Sequence, residues 1–339
     1  MSKTSDSTPE TSIKTSPDDA LSQVLNSMRI SGSLLLKEKY QTPWAVSVPS
    51  SNTLNHLFET TTNTRIAAFH LVERGHIIIE LENGESTLVE AGEMVVCFSG
   101  SAHTLSQGKG SKTITFEEIM FGGNNIFDPS KNSKQQSPCT SLICGVFLLH
   151  DTMLNPLLAA LPDVLKFSVS NPNQYPRLYG VVNLMIQEFR YQTVGNSFVL
   201  QRYLEILCAE AVRAHVDNLP EQSTGWLSAI KDPVIGRAIE IIHAQPGYKW
   251  SVKSLADHVT ISPSRFAARF SNTLGESPMI YITKWRMYIA SQMLDKNQYS
   301  IDQIANEVGY ESMASFSRAF KRHIGLPPAA WRATSFSSK

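Results

Sequence analysis

Apolar positions between residues 33 and 150 fall in short, β-branched runs broken by turn residues. The runs at 44–48, 66–72, 76–81, 86–89, 94–98, 113–116 and 142–148 predict strands, since apolar stretches of this length suit a pleated sheet surface. Asn83-Gly84 lies between two of them and predicts a hairpin. Gly75, Gly92, Gly100 and Gly122 punctuate the rest. About seven closely spaced strands with no helix between them predict an antiparallel sandwich or barrel. Residues 122–138 are polar and aperiodic and predict a loose loop. Residues 1–18, rich in Ser, Thr, Pro and Asp, predict a disordered tail. Between tail and strands, Leu21, Val24 and Leu25 share one face of a short helix over 20–28.

The period becomes helical near residue 176. Leu178, Val181, Val182, Met185 and Phe189 form one stripe, and Val199, Leu200, Tyr203, Leu204, Ile206 and Leu207 belong to a second helix. Such stripes pack on the chain's own barrel or pair two copies; their place between two domains favours a homodimer interface. Residues 217–230 contain Pro and Gly and predict a linker. The last hundred residues are helical throughout and hold an internal repeat. Leu255-Ala256-Asp257-His258-Val259 matches Ile304-Ala305-Asn306-Glu307-Val308 at an offset of 49. After a one-residue insertion the offset is 50, and Phe266, Phe270, Gly275, Pro278 and Tyr281 match Phe316, Phe320, Gly325, Pro328 and Trp331.

Each copy carries the signals of a helix-turn-helix. In the first, Val252, Leu255, Ala256 and Val259 line one face of a two-turn helix. Ser262 then caps a second helix with Pro263 at its first position, Phe266, Phe270 and Leu274 form its stripe, and Gly275 stops it. In the second copy Ser300 and Gln303 form a capping box before Ile301, Ile304, Ala305 and Val308. Gly309 ends that helix, Ser312 caps the next, and Phe316, Phe320 and Ile324 repeat the stripe up to Gly325. The outer faces are basic, with Arg265 and Arg269 on one helix and Arg318, Lys321 and Arg322 on the other. A short capped helix of this kind suits the DNA major groove, where Arg bonds guanine edges. Two of them enter successive grooves when spaced by one helical turn, ~34 Å. A long helix over 277–295, with Ile282, Trp285, Ile289 and Met293 on one side, supplies the spacer.

Charge supports an anionic partner at this end. The 339 residues balance at 30 Lys+Arg and 30 Asp+Glu, yet residues 226–339 hold 14 against 8. No run of 18 apolar residues occurs, which excludes a membrane-spanning helix. The first residues have no apolar core of the secretory kind. The four cysteines include no Cys-x2-Cys pair and are too few for a disulfide scaffold. A cytoplasmic protein with no membrane partner is the resulting expectation.

The C-terminal region resembles the DNA-binding domain of the AraC/XylS family of transcription regulators. The residues that carry the resemblance are Ser254-Leu255-Ala256, Gly275-Glu276-Ser277-Pro278, Trp285-Arg286-Met287, Ile304-Ala305-Asn306-Glu307-Val308-Gly309-Tyr310, Phe316-Ser317-Arg318-Ala319-Phe320-Lys321 and Gly325-Leu326-Pro327-Pro328-Ala329-Ala330-Trp331-Arg332. The resemblance implies a regulator that binds double-stranded promoter DNA and works with RNA polymerase, usually as an activator. By position it places base contacts at Ser264, Arg265 and Ala268 in the first copy and at Met313, Ala314 and Arg318 in the second. Lys284, Arg286, Lys321, Arg322 and Arg332 are the phosphate candidates. Family members often have Arg where this chain has Ala268, so the second copy is expected to dominate discrimination.

The N-terminal half resembles the cupin-type domain fused to a subset of these regulators, through Pro43-Trp44-Ala45, Phe69-His70-Leu71-Val72, Gly92-Glu93-Met94-Val95-Val96, Gly100-Ser101-Ala102-His103, Leu142-Ile143-Cys144-Gly145 and the run from Asn155 to Pro162. Phe98 stands where the second cupin motif usually has Pro. The implied fold class is α+β in two domains: a cupin-like antiparallel β-barrel with helices, then an all-α double helix-turn-helix. The expected organisation is a tail over 1–18, a regulatory and dimerisation domain over 19–216, a linker over 217–230 and a DNA-binding domain over 231–334. His70, His76 and His103 are metal-ligand types, but metal-binding cupins carry His-x-His followed by Glu, whereas Leu71 and Val72 follow His70 here. His70 and Glu73 also fall on opposite faces of a strand. The expectation is therefore no metal, no cofactor and no catalytic residue. Cys139 and Cys144, five apart near a loop–strand junction, are the candidate redox pair, against the ordinary reading of Cys as a small buried apolar residue. The signal is then a small organic effector or an oxidant. The competing function is a metal-dependent cupin enzyme with a helical accessory domain.

Overall fold

The computed structural model describes residues 19–60, 63–108, 110, 112–121, 139–150, 154–191 and 193–336. The tail expected over 1–18 and the loop expected over 122–138 lie outside the described residues. Helix α1 (Ala20–Ser27) opens the fold, capped by the Asp19 carboxylate, which accepts from the Ser22 backbone N–H. Ten strands follow among the described residues. They are β1 (Ile30–Gln41), β2 (Trp44–Val48), β3 (Arg65–Arg74), β4 (His76–Leu81), β5 (Ser86–Glu90), β6 (Glu93–Cys97), β7 (His103–Gln107), β8 (Thr113–Thr115), β9 (Cys139–Leu149) and β10 (Val164–Ser168). Short helices α2 (Ser51–Leu57), α3 (Phe116–Phe121) and α4 (Pro156–Ala160) interrupt them. Two five-stranded sheets result, ordered β1-β9-β3-β6-β10 and β5-β4-β7-β2-β8. The described pairings are antiparallel except β2 with β8.

Burial explains the two kinds of apolar run. Strand β4 alternates buried and exposed because only one face meets the barrel interior. Strands β3 and β6 are buried on both faces. Phe69, Leu71, Met94 and Val96 pack outward against helices, while Val72 and Val95 join the interior with Tyr40, Trp44, Val46, Ile77, Ile79, Leu81, Val89, Leu105 and Leu142. The covering helices are α1, α4, α5 (Pro176–Tyr191) and α6 (Asn196–Asp217). Helix α6 lies on β1 at Gly32, where an added Cβ would stand 2.5 Å from Leu204 Cβ. Only glycine permits that approach.

The segment expected as linker contains a one-turn helix, α7 (Trp226–Ala229), with Trp226, Leu227 and Ala229 buried. Seven further helices complete the chain: α8 (Ile235–Ala244), α9 (Val252–His258), α10 (Pro263–Leu274), α11 (Pro278–Lys296), α12 (Ile301–Glu307), α13 (Met313–Ile324) and α14 (Pro328–Phe336). One apolar core runs without a break from the outer face of the first sheet, through α1, α4, α7 and α8, to Leu255, Phe266 and Phe270 of the first helix-turn-helix. The second has its own core of Ile304, Val308, Phe316, Phe320, Ile324 and Trp331. Helix α11 feeds both, with Tyr281, Ile282, Trp285 and Tyr288 in the first and Met287, Ala290 and Leu294 in the second.

Candidate nucleic-acid interface

The caps expected from sequence hold both second helices in place. The Ser262 side chain accepts from the Arg265 N–H with Pro263 at the first helical position, and the Ser312 side chain accepts from the Ser315 N–H. Ser300 and Gln303 form a reciprocal capping box on α12, and Ser251 with Ser254 forms another on α9. Gly275 and Gly325 end α10 and α13 at φ 76° and 90°, a left-handed turn that frees the chain to reverse. Phe266 and Phe270, and their counterparts Phe316 and Phe320, are fully buried, which fixes the opposite faces outward. Ser264, Arg265, Ala268, Met313, Ala314 and Arg318 are all exposed. Ala268 and Arg318 occupy the same sixth helical position of α10 and α13.

The basic residues divide into two groups. Arg265, Arg318, Lys321 and Arg322 project from the outer faces and are exposed. Three further phosphate candidates, Arg286, Arg332 and Lys284, also bond within the chain. Arg286 Nε donates to the Pro246 carbonyl at 2.7 Å and its Nη2 to the Tyr248 carbonyl at 2.8 Å. Arg332 Nη2 donates to the Tyr299 carbonyl at 2.7 Å. Lys284 Nζ is 2.6 Å from Glu276 Oε2. Arg269 likewise grips Asp232 at 3.1 and 2.7 Å, tying α10 to the turn before α8.

The barrel interior departs from the sequence expectation in a different way. His76 is exposed on β4 and faces Gln107 Nε2 at 3.3 Å, away from the other histidines. Glu73 lies outside the barrel, bound to Lys37, Arg190 and Ser141. His70 and His103 do meet, with their Nε2 atoms 3.0 Å apart. Cys97 Sγ is 3.9 Å from His103 Nε2, and Cys144 Sγ is 3.1 Å from His70 Nδ1. Burial lowers both imidazole pKa values and pushes the thiols of Cys97 and Cys144 up to about 12. The proposed Cys139–Cys144 pair does not form. Five residues along one strand separate the Cα atoms by about 17 Å, whereas a disulfide needs under about 7 Å.

The cupin family model matches residues 19–217, and a helix-turn-helix domain model matches residues 255–334. The HTH-type transcriptional regulator AlkR of Acinetobacter baylyi is 30% identical over 93% of this chain and 99% of its own. The chain is an AraC-type transcription regulator with an N-terminal cupin domain. The RCS-specific HTH-type transcriptional activator RclR of Escherichia coli is 26% identical over 79% of this regulator and 84% of its own chain. The DNA-binding domain of AdpA, solved in complex with a target DNA, is 26% identical over 32% of this regulator and 96% of that chain, at a TM-score of 0.31. No helix of the regulator among the described residues is long and apolar enough to cross a membrane.

The two halves of the regulator are bonded through α11. Tyr288 Oη lies 2.9 Å from Ser27 Oγ on α1 and accepts from Asn155 Nδ2 at 2.9 Å at the start of α4. Gln292 Nε2 donates to the Ser27 carbonyl at 2.9 Å. Beside this contact lies a cavity of about 360 Å³, lined by Leu154, Pro156 and Ala159 from one half and Trp226, Tyr281 and Trp285 from the other. The Trp285 indole N–H is buried there without a hydrogen-bond partner. The cavity inside the barrel, bordered by Tyr40, His70 and Cys144, is only about 40 Å³.

Proposed function

We propose that this regulator is a cytoplasmic, homodimeric activator whose N-terminal region, 19–216, controls how the 231–334 region engages promoter DNA and RNA polymerase. One observation carries the reading: two capped helices with exposed outer faces, α10 and α13, are joined by a spacer helix that also holds the N-terminal half. Ser264, Arg265, Ala268, Met313, Ala314 and Arg318 read bases, while Lys321 and Arg322 hold phosphates. A small organic effector fits the cavity between the halves, whose size matches ligand pockets, whereas the barrel cavity of about 40 Å³ is far below that range. Leu184, Tyr191, Phe198 and Ile206 are exposed on and beside α5 and α6 and supply the face for a second copy. The activator sense is supported by the similarity to RclR, a transcriptional activator.

Selection of random duplexes by the purified full chain tests the reading. Two half-motifs about one helical turn apart are expected. Absence of enrichment, with and without extracts of effector-bearing cells, rejects it. The enzyme alternative has the convergence of His70 and His103 in its favour. Turnover of a small substrate that H103A abolishes would establish that alternative instead.

A further inference from the structure

We propose that His70, Cys97 and His103 form a binding site for one zinc-class divalent ion that clamps the two sheets of the barrel together. His70 comes from β3, Cys97 from the end of β6 in the same sheet, and His103 from the start of β7 in the opposite sheet. All three are buried, and one ligand atom from each lies within 4.8 Å of the others. A tetrahedral zinc with Zn–N of ~2.0–2.1 Å and Zn–S of ~2.3 Å separates its nitrogens by about 3.3 Å and nitrogen from sulfur by about 3.6 Å. The observed 3.0 Å between the Nε2 atoms and 3.9 Å from Cys97 Sγ to His103 Nε2 bracket those values. Small side-chain shifts therefore close the site around an ion. Borderline-soft ions such as Zn²⁺ favour this imidazole–thiolate set over the hard cations that prefer oxygen.

The surrounding hydrogen bonds orient the lone pairs. His103 Nδ1 lies 3.1 Å from the Ser101 carbonyl, which can only accept. Nδ1 therefore carries the proton, and Nε2 offers its lone pair to the centre. A ligating histidine is held this way when its second nitrogen donates to a backbone carbonyl. His70 has its Nδ1 against Cys144 Sγ, so that an Nδ1–H facing sulfur points the second lone pair at the same place. Two lone pairs 3.0 Å apart repel unless a proton or a cation lies between them. The competing arrangement is a proton: His70 Nε2–H donates to His103, and the Cys144 thiol donates to His70 Nδ1. Burial of both rings disfavours the charged imidazolium that a third arrangement requires. Ion binding is balanced by loss of one proton, that of the Cys97 thiol, as the Zn–S bond forms.

This site differs from the histidine trio of the sequence reading in exchanging exposed His76 for Cys97, and it stands apart from the DNA-reading surface. Cobalt titration of the chelator-stripped full chain tests it. One equivalent of Co²⁺ should saturate the visible bands of tetrahedral cobalt together with a thiolate-to-cobalt charge-transfer band. C97S should lose the charge-transfer band and keep weakened visible bands, while H76A should match the parent. The parent chain, purified without added metal, should hold close to one zinc, and chelation should lower its thermal midpoint by several degrees. A featureless spectrum at equimolar Co²⁺, or a charge-transfer band that persists in C97S, would overturn the proposal. Both readouts on the parent chain stand even where a variant folds poorly, and neither depends on which DNA the regulator selects.

Discussion

Ala268 and Arg318 show how much one side chain can weigh at an interface built twice. Both sit exposed at the sixth position of equivalent helices, so the two copies present the same backbone and different chemistry. Arg318→Ala should cost about 1–3 kcal/mol at a single base pair and relax selection there. Lys321→Ala should weaken binding on all duplexes alike and reduce the salt slope by about one. Salt titrations on selected and scrambled duplexes separate the two outcomes, and a uniform loss for Arg318→Ala would make it a phosphate contact. Which charges stay exposed was only partly legible in the sequence. Arg286 looks like any basic helix residue there, because the carbonyls that hold it, Pro246 and Tyr248, arrive from a loop some 40 residues earlier.

His243 belongs to no sequence motif, yet it carries a pH dependence. Its ring stacks on Trp285 at 3.6 Å between centroids, and burial pushes its pKa from 6.5 down to about 3. The unfolded chain takes up this proton below pH 6.5 and the native chain only below about 3. Stability from this group is therefore complete above pH 6.5 and is lost as pH falls toward 3, at about 1.4 kcal/mol per unit. Between pH 7 and pH 5 the parent should lose about 2 kcal/mol more than His243→Phe, read from urea midpoints. Equal losses in both proteins would show that the ring protonates without unfolding.

At the scale of elements, local chemistry was most legible where a helix begins. Ser262, Ser300 and Ser312 all cap as their spacing required, because a cap depends only on residues within one turn. Ser262→Ala and Ser312→Ala should each cost about 1 kcal/mol of stability. Circular dichroism melts of the full chain check this, and Ser264→Ala, past the cap, should leave the midpoint unchanged. Strands were legible where one face is buried, as in β4, and less so elsewhere. Strand β1 gives no such signal, because Ser31-Gly32-Ser33 and the polar stretch Lys37–Tyr40 carry no apolar alternation, and its pairing with β9 decides its conformation. Strands β7 and β10 are similarly fixed by their partners. The meeting of His70 with His103 belongs to the same class: 33 residues and two sheets separate them, and no spacing rule reports contact across a barrel.

At the scale of the whole molecule, a linker was expected where Trp226 is in fact buried against α11, its Nε1 donating to Tyr281 Oη at 2.8 Å. Pro, Gly and Ser nearby gave the segment a linker's composition, while the docking that orders it depends on residues over 50 positions away. Tyr288→Phe removes the hydroxyl that bonds Ser27 and Asn155, and should cost about 1–2 kcal/mol. Faster proteolysis within 217–225 and altered affinity for the selected duplex, with unchanged base preference, are the expected readouts. A Tyr288→Phe protein as protease-resistant as the parent would assign the contact no part in holding the halves together.

The continuous core also bears on how such regulators can be recombined. A hybrid that grafts another receptor half onto residues 226–339 keeps Trp226, Phe266 and Tyr281 but removes the α1 and α4 surface that shares their core. The second helix-turn-helix keeps its buried core through such a cut and loses only the partly buried Leu154 packed against it. Transplants should therefore succeed when α1 and α4 travel with the reader they were fitted to, and fail at the first reader before the second. Here the unit of inheritance is a contact surface, and it does not coincide with the stretch of chain between two composition boundaries.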